Sequence, residues 1–381
     1  MARTRDVAVV LSGGGMNGML LEMGFLKRLR ESDLWARTGW FFGTSAGAFS
    51  GCVAVLDRLD DLERFLLRLQ VDETFRPNRL WRLPLLGTHD YVLPQTIAER
   101  IGDPLELARG VAASDQELVV VVTDVTPEYE DGISSRPFEL VYSSKQHPPE
   151  LMAEAVIASA AISALVLPLP VGDRVGTDGG WVRNFPLAHA YDRQDVERIV
   201  AFRYVPTYPA LGTGALRAVT TRLRRYSKLP PARAIAAELE EAARREERGQ
   251  PAHLVDTIMR LSRVSIGRNT VLEEHTAAER ERSIRELRAL RADVGDLVRA
   301  APLDAQQRDE LAAAVEARFA EARFPFRHDR EIPRITVAAS AGELHLGAGF
   351  RKQKPWTVEA KKALIQRGYD LTEEALAAAE R

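Results

Sequence analysis

Apolar residues run along the chain in two rhythms, and their alternation lays out the fold. Short, nearly continuous apolar runs at residues 7–11, 40–43, 117–123 and 197–204 read as strands buried on both faces. Residues 138–142 read as a weaker strand, and residues 332–338 as a late one. Between them the apolar spacing changes to three and four. This predicts helices over 18–30, about 46–56, 59–69, an alanine-rich buried one over 149–162, and a closing one over 357–379. Strands alternating with helices in this way predict an α/β fold with a mostly parallel sheet flanked by helices.

Two stretches interrupt the alternation. Residues 72–90, with Pro77, Trp81 and Pro84, read as an irregular, lid-like excursion. Beyond Tyr208 strand signal fades and charge rises. Ile284, Leu287, Leu290, Val294 and Leu297 step by three and four, and Leu311, Val315 and Phe319 by four. Ala301-Pro302 separates the two series, which predicts a helical hairpin packed on the sheet domain. The strand pattern returns afterwards, so residues 211–329 read as a helical insertion or subdomain in a single domain. Its core is 6–205, and 330–381 supply the closing strand and helix.

Two glycine-framed turns carry the candidate chemistry. Gly43-Thr44-Ser45-Ala46-Gly47 follows a strand and precedes a helix, and it fits the nucleophile elbow, in which serine sits on a strained turn with no room for flanking side chains. Gly13-Gly14-Gly15-Met16-Asn17-Gly18 also follows a strand. Gly13, Gly15 and Gly18 satisfy a dinucleotide fingerprint, which expects an acidic residue closing the second strand. That strand ends in the serine turn instead. Amides of Gly13, Gly14 and Gly15 serving as an oxyanion hole suit two adjacent glycine turns better. The serine also needs a base. Asp178, in Thr177-Asp178-Gly179-Gly180, is the candidate; an ordinary aspartate pKa of about 3.9 is a poor match for a serine hydroxyl, so it would have to act in a partly desolvated site where fixed dipoles steer the developing charge. A Ser-His-Asp triad is the second reading, with His189 and His345 the most plausible histidines.

Composition narrows the classes further. At 45% apolar and 28% charged, with a net charge of -2, the chain reads as globular and gives no basis for nucleic-acid binding. The single cysteine, Cys52, excludes an internal disulfide framework and reads as buried. The apolar run after the basic N-terminus is too short for a secretory signal, so a cytoplasmic protein is expected. The stretch 155–171 falls short of the ~20 apolar residues of a spanning helix.

Together the three motifs, in this order, resemble the patatin-like phospholipase family. Ala158-Ser159-Ala160-Ala161-Ile162 before Asp178, and Asn184-Phe185-Pro186 after it, are similar as well. The resemblance covers about 6–205. It implies a lipid acyl hydrolase with Ser45 as nucleophile, Asp178 as base, amides of Gly13–Gly15 as oxyanion hole, and neither metal nor organic cofactor. A non-catalytic scaffold of the same family is the other implied class. Two positions depart from the family. Asn17 stands where Arg or Lys is usual, which removes a positive charge beside the oxyanion turn, and Ser163 stands where Pro is usual.

Two further features bear on lipid. Met16, Met19 and Met23 could line an acyl pocket or fill the core. Arg217, Arg222, Arg224, Arg225, Lys228 and Arg233, interleaved with Leu216, Val219, Leu223 and Tyr226, would suit peripheral contact with an anionic membrane. A solvated helix face balanced by Glu238, Glu240, Glu241, Glu246 and Glu247 is the stronger reading of that cluster.

Overall fold

The computed structural model describes residues 5–78, 89–127, 138–162, 165–205, 220–221, 224, 230–248, 254–322, 330–340, 342 and 356–381. Among the described residues there are ten strands: β1 (Val7–Leu11), β2 (Thr38–Thr44), β3 (Phe75–Pro77), β4 (His89–Tyr91), β5 (Glu117–Asp124), β6 (Glu139–Ser143), β7 (Leu169–Val171), β8 (Arg174–Thr177), β9 (Arg198–Tyr204) and β10 (Arg334–Ala339). The helices are α1 (Gly15–Arg30), α2 (Asp33–Arg37), α3 (Ala46–Val55), α4 (Leu59–Arg68), α5 (Leu93–Arg100), α6 (Pro104–Ala113), α7 (Pro149–Ser159), α8 (Gly180–Arg183), α9 (Leu187–Tyr191), α10 (Pro230–Glu247), α11 (Leu254–Ala300), α12 (Ala305–Glu321) and α13 (Val358–Glu380).

The main sheet runs β10-β9-β1-β2-β5-β8-β7, with β6 also paired to β5. From β10 to β5 every pairing is parallel, while β6, β7 and β8 pair antiparallel. The mostly parallel sheet read from the apolar runs is therefore correct, and its antiparallel margin is the part that the runs did not show. Strand β1 divides its side chains between two cores. Val7, Val9 and Leu11 face α1, α3 and α4, whereas Ala8 and Val10 meet Phe185, Leu187 and Tyr191 on the other face, together with Ala277 of α11. This alternation is what a strand buried on both faces requires.

Helices α1 and α13 pack backbone to backbone. A Cβ on Gly24 would lie 1.9 Å from the Ile365 carbonyl, and one on Gly368 would lie 1.9 Å from that of Leu21. Lys361 of α13 is buried and donates to the carbonyls of Leu67 and Leu69 at the end of α4. Its desolvation lowers the ammonium pKa to about 8. Between α1 and α3, Glu22 is fully enclosed and faces the Ser50 hydroxyl, and burial pushes its carboxyl up to about 8. Met19 and Met23 pack in this core with Met16 against it, and Cys52 is buried, its thiol raised to about 12 by desolvation.

Several expectations need correction. Residues 71–78 and 89–91 are not irregular: a 3-10 turn leads into the antiparallel β3–β4 pair, where Phe75 stacks on Tyr91 at 5.7 Å. The rest of that excursion, including Trp81 and Pro84, lies outside the described residues. The helical hairpin exists as α11 and α12, but only part of it packs on the sheet. Ala277 and Ile284 are buried, whereas Leu290 and Leu297 are exposed and α12 buries no residue. Arg291 holds the hairpin together by pairing with Glu316 and lying over the Phe319 ring. Periodicity predicted the helices correctly but not what each faces. Arg217, Arg222, Arg225 and Lys228 of the basic cluster lie outside the described residues, and Arg224 pairs with Glu240.

Replacing Gly368 by Ala should lower stability by about 1–3 kcal/mol, the usual cost of overpacking, read as a lower thermal midpoint. A raised midpoint, as helix propensity alone would give, would contradict the close crossing of α1 and α13.

Candidate active site

Strand β2 delivers Ser45 at the N-terminus of α3, with φ 54° and ψ -119°. A positive φ is strained for a residue with a side chain, and such strain persists only where surrounding structure enforces it. Here the enforcement is close packing on both sides. A Cβ on Gly43 would fall 2.4 Å from the Gly47 carbonyl oxygen, and one on Gly47 would fall 2.4 Å from that of Leu11.

The turn is also pinned from α7. The Ser45 amide donates to Ser159 Oγ at 2.8 Å, and that hydroxyl donates to the Val121 carbonyl at 2.7 Å. Past Ser159 the helix stops, short of the residue 162 that its composition predicted, and its last carbonyls turn to the next strand. Asp178 donates its amide to the Ala161 carbonyl at 3.0 Å, and Gly179 donates to that of Ser159 at 3.3 Å. Thr123 Oγ1 donates to the Asp178 carbonyl at 2.7 Å. Ser159 is thus a residue whose part in the site the sequence did not disclose. Ser163 lies outside the described residues.

These supports bring together the two residues 133 positions apart that the sequence singled out. Ser45 Oγ donates to Asp178 Oδ2 at 2.8 Å, and Gly180 N–H donates to Asp178 Oδ1 at 2.7 Å. Each of the pair is only 7% exposed. Desolvation dominates the carboxyl and raises its pKa to about 6, against the two hydrogen bonds, which favour the charged form. At neutral pH the group is largely ionised, yet far more basic than an ordinary aspartate.

The glycine turn lies against the same serine, since a Cβ on Gly13 would sit 3.2 Å from Ser45 Cβ. One part of the expected oxyanion hole needs correction. The Gly13 amide donates to the Asn184 carbonyl at 2.9 Å, and the residue is buried, so its N–H holds the loop in place. Gly14 and Gly15 differ. They are half-buried and exposed, they start α1, and first-turn amides have no carbonyl four residues back to receive them. The N-termini of α1 and α3 both abut Ser45 and add positive potential there. Asn17, at the position that is usually basic, is buried in the first turn of α1.

The described histidines are engaged elsewhere. His147 bonds Ser143, His189 bonds Glu139 Oε1 at 2.8 Å, and His275 pairs with Glu279, while His89 is buried in β4. Glu139, held between His189 and Arg183, has its carboxyl lowered to about 2 against the opposing effect of burial. His253, His328 and His345 lie outside the described residues. Among the described residues no cluster of His, Cys, Asp and Glu could hold a metal ion, and no helix is long and apolar enough to cross a membrane.

Comparison with known proteins places part of the chain in a family. The sequence model of the patatin-like phospholipase family matches residues 9–191. That stretch is a patatin-like phospholipase domain. It contains both glycine turns, Ser45 and Asp178. Among solved structures, the chain is similar to VipD from Legionella pneumophila, with a TM-score of 0.41 and 13% identity over 99% of this chain and 67% of that one. No curated protein matches the sequence. The match ends before β9, so β9, β10 and helices α10 to α13 lie beyond it, although β9 pairs with β1 in the same sheet.

Replacing Ser159 by Ala should cost about 1–3 kcal/mol, because it strands the buried Ser45 amide and Val121 carbonyl. Denaturant unfolding measures it, and a loss below about 0.5 kcal/mol, the lower end for a net hydrogen bond, would contradict the pinning role.

Proposed function

We propose that the protein is a lipid acyl hydrolase working through a Ser45–Asp178 dyad. The observation that carries this is the hydrogen bond from Ser45 Oγ to a buried carboxylate whose pKa is raised to about 6. The match to the patatin-like phospholipase family supports a lipid ester as the substrate class.

In this reading Ser45 Oγ attacks the ester carbonyl carbon while its proton passes to Asp178 Oδ2. The carbonyl oxygen becomes an oxyanion facing the Gly14 and Gly15 amides, each of which would supply roughly 2.7–4 kcal/mol of barrier lowering in such a role. Collapse expels the alcohol part of the lipid, which takes the proton from Asp178 and leaves the acyl group on Ser45. Water then gives a proton to Asp178 and attacks the acyl carbon, releasing the fatty acid and returning the proton to Ser45. A carboxylate can serve as base here because water is largely excluded and fixed amides, not solvent, meet the developing charge.

A small apolar cavity of about 20 Å³, room for little more than one water, lies among α3, α5, α6, α7 and β5. Phe49 and Cys52 of α3 and Met152 and Val156 of α7 line it. We take the chain as one unit, with 6–205 as catalytic core and the helices of 211–329 as an accessory to it. Peripheral contact with an anionic membrane is the weaker reading of the basic cluster, in which Arg224 pairs with Glu240, and the proposal does not depend on it.

The test is fatty-acid release from phospholipid vesicles and from soluble esters. Wild type should hydrolyse them and Ser45→Ala should retain under about a thousandth of the rate, as for loss of a nucleophile. Hydrolysis unchanged in Ser45→Ala would overturn the dyad. The pH profile is a separate prediction. Activity needs ionised Asp178, so kcat/KM should fall about tenfold per pH unit below a midpoint near 6 and level off above it. A limb near 4 would mean that the carboxylate is not desolvated during catalysis.

A further inference from the structure

We infer that Asn269, on the long helix α11 beyond the patatin-like match, is a positioning residue that sets the Asp178 carboxyl and the oxyanion turn together. The inference rests on the dyad reading above.

Both ends of the Asn269 side chain are spent on the segment after Asp178. Nδ2 donates to the carbonyls of Gly180 at 2.7 Å and Trp181 at 3.2 Å, while Oδ1 accepts the Asn184 amide at 3.0 Å. Each contact leads to a different part of the site. Gly180 uses its own N–H to hold Asp178 Oδ1, and the carbonyl that Asn269 holds belongs to the next peptide plane, joined to that N–H through the Gly180 Cα, so fixing the carbonyl restrains the backbone torsions that aim the N–H at the base. Asn184 holds the oxyanion turn from the other side. Its carbonyl receives the Gly13 amide at 2.9 Å, and its Nδ2 donates to the Gly13 carbonyl at 3.5 Å and to Thr270 Oγ1 at 3.2 Å. Thr270 is the neighbour of Asn269 on α11. One turn of α11 therefore reaches the base through Gly180 and the glycine turn through Asn184.

Anchoring of α11 does not depend on this residue. Glu273 accepts from Arg183 and from the Ala188 amide, Arg203 pairs with Glu274, and Arg280 pairs with Asp192 and lies over the Tyr191 ring at 5.1 Å. Those contacts dock the helix along α9 and the sheet. Asn269 differs in that it holds the Gly180 carbonyl and the Asn184 amide, and these two residues use their remaining groups to bond Asp178 and Gly13. Orientation of backbone donors by surrounding residues is what keeps a site within the narrow geometry that catalysis needs.

A consequence separates positioning from mere docking. The Gly180 N–H favours ionised Asp178 against the desolvation that raises its pKa. Loosening Gly180 weakens that bond, so the acid limb of the pH profile must move upward. A general loss of stability moves the folded fraction but not the limb of the folded enzyme.

The experiment compares wild type with Asn269→Ala, Asn269→Asp and, as a control on the same helix, Ser265→Ala. Ser265 donates only to the Trp181 carbonyl, at 3.3 Å. Two readouts are taken on the full chain: the pH profile of kcat and KM on a soluble ester, and amide hydrogen exchange by mass spectrometry. Both Asn269 variants should move the acid limb up by at least about half a pH unit and lower kcat about tenfold or more with KM within about twofold, sizes set by the partial pKa effect of one hydrogen bond and by mispositioning. Exchange of peptides covering 179–184 should quicken about tenfold, with β1, β2 and β5 unchanged. Ser265→Ala should leave both readouts near wild type. Should Asn269→Ala not fold, the nearly isosteric Asn269→Asp carries the test, because it keeps the acceptor for Asn184 and loses the donor to Gly180. Wild-type limb, kcat and exchange in a folded Asn269 variant would overturn the inference. If wild type hydrolyses no ester, the dyad reading fails, while the exchange comparison still decides whether Asn269 holds the 179–184 segment.

Discussion

A carboxylate kept from water beside a strained serine is the arrangement on which the rest of the structure depends. Taking Asp178 out of solvent is unfavourable to its charge, and only two hydrogen bonds, from Ser45 Oγ and Gly180 N–H, offset the loss. In the proposed reaction the same unfavourable burial makes the carboxylate a stronger base than an ordinary aspartate. The fold must hold both partners in this costly state, and it does so with backbone and small side chains.

The tail of α7 is the hub of that support. Within a few residues it receives the Ser45 amide on Ser159 Oγ, the Asp178 amide on the Ala161 carbonyl and the Gly179 amide on the Ser159 carbonyl. Ser45 and Asp178 come from opposite ends of the matched segment but rest on one short stretch. Glycines complete the approach: a Cβ on Gly179 would lie 2.2 Å from the Val121 carbonyl oxygen. From the other side, Asn184 locks the glycine turn against the segment that carries the base.

What could be read from the sequence follows from how local each signal is. Strands β1, β2, β5 and β9 show as apolar runs because burial on both faces leaves no polar position, and the turn at Ser45 shows because its glycines answer to a local backbone shape. Asp178 was visible through its glycines and the order of motifs, and the chemistry called for a partly desolvated site, whereas the raised pKa follows from burial that only the fold shows. The contributions of Ser159, Asn184 and Asn269 were hidden, since a serine or asparagine is defined by the distant group it bonds. Gly13 shows the same limit: the sequence supplies a donor, and only the fold shows that it is spent on Asn184. Gly24 and Gly368 pass in sequence for ordinary helix glycines, whereas in three dimensions they allow two backbones to touch. Helix α6 could have been found, because Asp103 before Pro104 is a strong start signal, and Asp103 Oδ1 does accept the Leu105 amide at 2.9 Å. The spacing of Leu290, Leu297 and Leu311 predicts helices, but these residues remain largely in solvent.

The central claim is that Ser45 is a nucleophile activated by Asp178. Intact-mass analysis after treatment with a fluorophosphonate probe addresses it without knowledge of the natural lipid. The account predicts one adduct on wild type, mapped to Ser45, no adduct on Ser45→Ala, and labelling of folded Asp178→Asn slowed by at least about a hundredfold, within the range for loss of a general base. Folded wild type that takes up no probe, or Asp178→Asn labelled at the wild-type rate, would contradict it.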